Sequence, residues 1–86
     1  MKILGGKLKG RNFYMPAEIP PTQNLVRKAV FDILGDINGV EFLELFAGSG
    51  AVGFEAFSRG AKMVTLVERV SSCLEVIHKN LQLLDI

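Results

Sequence analysis

Three glycines spaced G-x-G-x-x-G, Gly48, Gly50 and Gly53, separate a strand-like run from a helix-compatible one. Glycine lacks a Cβ, so such a stretch can turn sharply and let its backbone approach a ligand closely. The helix that follows presents N–H groups without intrahelical partners at its first turn. Two acids flank the turn. Glu68 stands 18 residues after Gly50, at the end of the next apolar run. A carboxylate there can accept hydrogen bonds from both ribose hydroxyls of an adenosine. Glu44 stands four residues before Gly48, inside an otherwise apolar strand.

Two cofactor classes use this layout, dinucleotides and S-adenosylmethionine. A dinucleotide sets its pyrophosphate against the helix N-terminus. S-adenosylmethionine has no phosphate but carries a cationic sulfonium and a cationic amino group. A carboxylate at Glu44 suits that ligand and repels a pyrophosphate. The predicted cofactor site is therefore an S-adenosylmethionine site built from Glu44, Phe46, Ala47, Gly48, Ser49, Gly50 and Glu68. Gly48, Ser49 and Gly50 would cradle the methionine part, Glu44 would face its cationic end, and Glu68 would hold the ribose. The alternative for Glu44 is a polar strand residue paired elsewhere.

A second cluster is basic. Lys2, Lys7, Lys9 and Arg11 precede the first acid, Glu18. Lys7, Lys9 and Arg11 fit RNA phosphates; they equally fit a hairpin edge kept soluble by charge. The whole chain is near neutral at +1, so the field is local. His78 has no other ligand type beside it and reads as a solvated or half-buried side chain. No Cys/His cluster suggests a metal. The aromatic residues, Phe46 excepted for its place beside the glycine turn, read as packing residues. Arg59 reads as a residue that stays exposed.

These residues need elements to position them. Residues 2–15 read as a β-hairpin punctuated by Gly5-Gly6 and Gly10, and residues 16–21 as a stiff proline-rich linker. Thr22 reads as an N-cap. Leu25, Val26, Ala29, Val30, Ile33 and Leu34 recur at helical spacing, opposite Arg27, Lys28 and Asp32, and Gly35 stops that helix. Strands are expected over 40–46 and 63–67, joined by a helix over 51–58. Ser72 and Glu75 form a capping-box signal, and Leu74, Ile77, Leu81 and Leu84 repeat along a last amphipathic helix. A strand–helix–strand unit implies parallel strands with a right-handed crossover. The fold class is thus α/β, an N-terminal hairpin and helix followed by the opening βαβα part of a doubly wound sheet. Residues 1–21 form the hairpin and linker, and residues 22–86 a partial cofactor-binding domain.

A two-stranded parallel sheet leaves edges open and covers little core. The expectation is an incomplete domain, or a protomer that completes its sheet with another copy through the open edge. The chain has 86 residues, 49% of them hydrophobic, which excludes a disordered chain. Its single cysteine, Cys73, permits no internal disulfide and reads as a small packing residue in a reducing cytoplasm. No run is long and apolar enough to span a membrane, and no signal-peptide core follows the first residues.

Residues 43–61 closely resemble the cofactor loop of a bacterial rRNA methyltransferase family that modifies the exocyclic N2 of a guanine in small-subunit (16S) ribosomal RNA. The resemblance includes Phe46-Ala47-Gly48-Ser49-Gly50, Glu55-Ala56 and Ser58-Arg59-Gly60-Ala61. It extends to Ile3–Arg11, to Pro21-Thr22 with 26–34, to Val67-Glu68 and to Asn80. It implies a Rossmann-like methyltransferase fold, S-adenosylmethionine as cofactor, and ribosomal RNA or the small ribosomal subunit as partner. It also implies in-line attack of a guanine amine on the sulfonium methyl. The family usually has aspartate at the position of Glu44 and arginine at that of Pro20. It continues with an acid near the adenine and with an Asn-Pro-Pro-Tyr motif that holds the target amine and stacks the flipped base. Neither occurs in these 86 residues. The expectation is an N-terminal half that binds cofactor without its catalytic motif, or a non-catalytic, self-associating module.

Overall fold

The computed structural model describes residues 1–16 and 24–86. The linker expected over 16–21, Pro16 apart, and the cap expected at Thr22 lie outside them. The described elements are α1 (Asn24–Leu34), β1 (Glu41–Leu45), α2 (Ala51–Ser58), β2 (Met63–Val67) and α3 (Ser71–Leu83). β1 and β2 pair in parallel, from Glu41 opposite Met63 to Leu45 opposite Val67. Parallel neighbours need a crossover, and α2 supplies it. The fold is mixed α/β, as the alternation of periods in the sequence implies.

Side chains alternate across a strand, and here the alternation divides the sheet sharply. Phe42, Glu44, Val64 and Leu66 turn toward α2 and are half-buried. Leu43, Leu45, Met63 and Val67 turn away and are exposed by about half or more of their surface. On the covered side, Ile3 and Phe13 from the N-terminal segment pack with Ala47, Ala51, Phe54, Ile77 and Leu84. The Phe13 and Phe54 rings meet edge to face at 5.9 Å. A second cluster joins Phe31, Ile37, Ala56 and Ala61.

The N-terminal segment is antiparallel but not a continuous ladder. Lys2 and Asn12 form one bridge. Ile3 N donates to Arg11 O, and Phe13 N to Met1 O. Between them the backbone groups go elsewhere. Leu4 N and Gly5 N donate to the Glu55 carboxylate, Leu8 N to Ser58 Oγ, and Lys7 N to Ser58 O. Helix α2 takes the bonds that a second strand would have taken.

The apolar face expected for α1 is not the buried one. Arg27 and Phe31 are its buried residues, whereas Leu25 and Ile33 are 79% and 84% exposed. Periodicity gathers Leu25, Val26, Val30, Ile33 and Leu34 on one arc, and that arc is the exposed one. The neighbouring layer decides: it offers the Glu55 carboxylate to Arg27 at 3.6 Å and the Phe42 ring to Phe31 at 6.0 Å. The start of α3 also differs. Val70 is the cap residue and makes no side-chain capping bond. Glu68 instead accepts from Arg69 N and Val70 N. The Ser72–Glu75 capping box does not form, because the helix begins at Ser71 and Ser72 already lies inside its first turn.

Candidate functional site

β1 ends at Leu45, and its line continues as Ala47 N donates to Val67 O at 3.0 Å. Phe46 bridges the two in a left-handed conformation, φ 56°, with its ring 82% exposed. A bulky residue there stores roughly 1–3 kcal/mol of strain. Gly48 and Gly50 also have positive φ, at 60° and 83°, and Gly50 N closes the turn onto Ala47 O at 2.9 Å. Gly53 serves a different need. A Cβ there would stand 2.3 Å from Leu66 and 3.3 Å from Glu44 Oε1, so α2 lies against the sheet only because this position is bare. Ala47, Gly48, Ser49 and Gly50 are buried, which leaves Phe46 as the loop's projecting side chain.

The structure sets Glu68 against this loop and Glu44 against the first turn of α2 that follows it. Glu68 Oε1 accepts from Gly48 N at 2.8 Å, while its Oε2 accepts from Arg69 N and Val70 N, each at 3.0 Å. These bonds, the Val70 and Gly48 ones foremost, hold its pKa below the ordinary carboxylate value. An ionised carboxylate offers about four acceptor directions, and three are in use. In this conformation Glu68 has room for one further donor. Accepting from two ribose hydroxyls requires giving up one of these three bonds.

Glu44 lies beneath α2, where its Oε1 accepts from Gly53 N at 3.0 Å. Burial raises its pKa to about 7, against the smaller, opposite pull of the Gly53 bond. The ion pairs among the described residues are Arg27–Glu55, Arg59–Glu55 and Lys28–Asp32, so Glu44 lacks a cationic neighbour there. Ser49 Oγ accepts from Ala51 N at 3.2 Å. Two of the first three N–H groups of α2, those of Ala51 and Gly53, are thus answered by side chains rather than left for a phosphate.

The basic residues are not brought to the loop. Lys7, Lys9 and Arg11 are exposed, and the segment that carries them is fastened to the far end of α2. Lys7 Nζ stands 4.2 Å over the Phe57 ring, and Arg11 Nη2 donates to Leu83 O at the end of α3. One helix of eight residues, about 12 Å long, separates this arm from the glycine turn.

Two buried polar residues organise the site without having been assigned a role. Glu55 is fully buried. It accepts from Leu4 N and Gly5 N at 2.9 Å and from Arg59 Nε at 2.8 Å, and it faces the buried Arg27, whose Nη2 also bonds Lys2 O. Asn80, also fully buried, exchanges bonds with Tyr14 N and O and donates to Ser49 O at 3.3 Å. Each carried a signal in the sequence. Glu55 is the one charged residue of an apolar helix, and Asn80 falls on the apolar stripe between Ile77 and Leu84. Arg59 is less exposed than expected, ion-paired to Glu55 and stacked over Phe31. Tyr14 is the packing aromatic that turns outward, 53% exposed.

The family model described as "Conserved hypothetical protein 95" matches residues 1–86. The small-subunit ribosomal RNA methyltransferase D of Escherichia coli K12 is 38% identical over 84 residues, which cover 94% of this chain and 42% of that protein. The methyltransferase of the same name from Buchnera aphidicola is 38% identical over 98% of this chain and 46% of its own length. A solved structure of a hypothetical protein from Thermus thermophilus superposes with a TM-score of 0.88 at 38% identity, over 100% of this chain and 51% of that one. The chain spans less than half the length of the curated relatives named here.

Proposed function

This chain belongs to the Conserved hypothetical protein 95 family, and on that premise we propose that residues 1–86 are the cofactor-binding part of an S-adenosylmethionine-dependent methyltransferase acting on guanine N2 of small-subunit ribosomal RNA. The relatives named as small-subunit rRNA methyltransferases support the RNA substrate. The observation that carries the cofactor class is the state of the α2 N-terminus. Its Ala51 and Gly53 N–H groups are bound to Ser49 and Glu44, which leaves little for a pyrophosphate and puts a carboxylate where one would be repelled.

The residues present fit the cofactor. Glu44 is a part-buried carboxyl lacking a cation, and a sulfonium or ammonium nearby would stabilise its ionised form. Gly48, Ser49 and Gly50 form a turn without bulky side chains, buried in this conformation together with Ala47. Glu68, ionised at neutral pH, accepts a ribose hydroxyl. Phe46 presents a ring beside the loop for an apolar part of the ligand. The bound cofactor supplies an activated methyl group. The protein's contribution is to hold that methyl in line with the attacking amine, a gain in proximity and orientation. Lys7, Lys9 and Arg11 contact RNA phosphates away from the loop and orient the RNA. The setting is the cytoplasm, where ribosomal RNA is modified.

The residues that hold the target amine lie outside 1–86, so this stretch alone binds without turning over; its residual capacity is that of a cofactor-binding module. Incubation of the chain with methyl-labelled S-adenosylmethionine and small ribosomal subunits tests this. The expected result is retention of cofactor with no label in RNA. Labelled guanine formed by this chain alone would contradict it.

A further inference from the structure

A groove of about 620 Å³ lies between the end of the N-terminal segment and α3, outside the cofactor loop. Tyr14, Met15, Val76 and Leu83 give it an apolar floor, and Lys79 and Gln82 give it polar edges. No acid lines it. The Tyr14 ring is open to solvent over about half its surface. Arg11, exposed, is tied to the groove wall through Leu83 O.

We propose that this groove is a subsite for an unpaired nucleotide of the RNA substrate, with the base on Tyr14 and a phosphate on Lys79. The chemistry is that of single-strand recognition: an aromatic face for the base, a cation for the backbone, and an amide, Gln82, for a base edge. The charge suits a polyanion: Lys79 is the one charged residue of the described lining, and the exposed Arg11 is held beside it through Leu83 O. The place in the fold is also right. Asn80 holds both main-chain polar groups of Tyr14, at 2.7 and 2.9 Å, and the Ser49 carbonyl of the glycine turn, at 3.3 Å. One buried amide therefore sets the distance between a nucleotide in the groove and a cofactor on the loop. This inference rests on the reading of the chain as RNA-modifying.

Tyr14 is the only tyrosine and the chain has no tryptophan, so its emission reports the groove directly. The experiment titrates the chain with a short unstructured RNA oligonucleotide. It follows tyrosine emission and the anisotropy of a label on the RNA, with S-adenosylhomocysteine binding as a parallel control. The wild type is expected to show quenched emission on binding. Tyr14→Ala should weaken RNA binding about tenfold, the worth of one stacked base, while Tyr14→Phe stays within about twofold. Lys79→Ala should weaken it severalfold and reduce the salt slope by about 0.7, the loss of one phosphate contact to a single strand. All three should bind S-adenosylhomocysteine as the wild type does, because the bonds to Asn80 use the Tyr14 backbone. RNA binding that is unchanged in Tyr14→Ala and Lys79→Ala would overturn the groove assignment and leave the RNA reading standing. A wild type that binds the cofactor product but no RNA would overturn both.

Discussion

Glu44 concentrates the chemistry of the loop in one titratable group. Its pKa is raised by burial to about 7, so the folded chain holds this proton more tightly than the unfolded one. Its contribution to stability is then greatest below the ordinary value of 4.5 and is lost as pH climbs through about 7. A cationic ligand prefers the ionised carboxylate, so S-adenosylmethionine should bind more tightly at pH 8 than at pH 6. Glu44→Gln keeps an acceptor for Gly53 N, removes the charge, and should bind more weakly with a flat profile; calorimetric titration at both pH values reads this. Phe46 makes the opposite trade. Its left-handed backbone costs about 1 kcal/mol for a side chain that buries little, so Phe46→Gly should raise stability by roughly that amount in urea unfolding and weaken cofactor binding. Asn80 has no such slack. Asn80→Ala leaves the part-buried Tyr14 N and O and the buried Ser49 O without this partner, and should cost at least about 1–3 kcal/mol, the range for one buried unsatisfied group. Sequence spacing singled out Glu44 and Glu68, which bond main-chain N–H groups of α2 and of the glycine turn. It did not lead to the roles of Glu55 or Asn80, because their partners are backbone atoms distant in the chain.

Among the elements, α2 does the most joining. Its first turn meets the glycine loop, and its last turn holds the N-terminal segment through Glu55 and Ser58. A helix this short and apolar with one buried acid is stable only if that acid is paired. Glu55→Ala would leave Arg27 buried without its counter-charge and two N–H groups without acceptors. We expect a loss of about 3–5 kcal/mol, enough to unfold so small a chain; circular dichroism through urea measures it. Replacing Arg27 and Glu55 together with apolar residues should cost less than Glu55→Ala alone. β2 and α2 were legible in the sequence because a β-branched run and glycine punctuation leave few alternatives. The buried face of α1 was not, since its apolar arc stays exposed and Arg27 holds the inward position through Glu55. The N-terminal hairpin was legible as a reversal of the chain, but not as a segment whose backbone bonds α2.

At the scale of the molecule, one sheet face is covered and the other presents Leu43, Leu45, Met63 and Val67 beside the exposed ring of Phe46. Among the described residues the sheet has two strands, and both are edges. Parallel sheets are stable when both faces are covered, so the 86-residue chain should self-associate with rising concentration. Light scattering across a concentration series should give a mass above one chain, and a monomer throughout would speak against pairing through this sheet. The open face was foreseeable from the count of strands; which side chains it exposes required the register. On the proposed reading, the loop from Phe46 to Gly50, with Glu44 and Glu68, selects S-adenosylmethionine over a dinucleotide. Calorimetric titration of the folded chain with S-adenosylhomocysteine and, separately, with NAD decides this. Saturable binding of S-adenosylhomocysteine and none of NAD is the result expected from that reading. Binding of NAD with no binding of S-adenosylhomocysteine would contradict it.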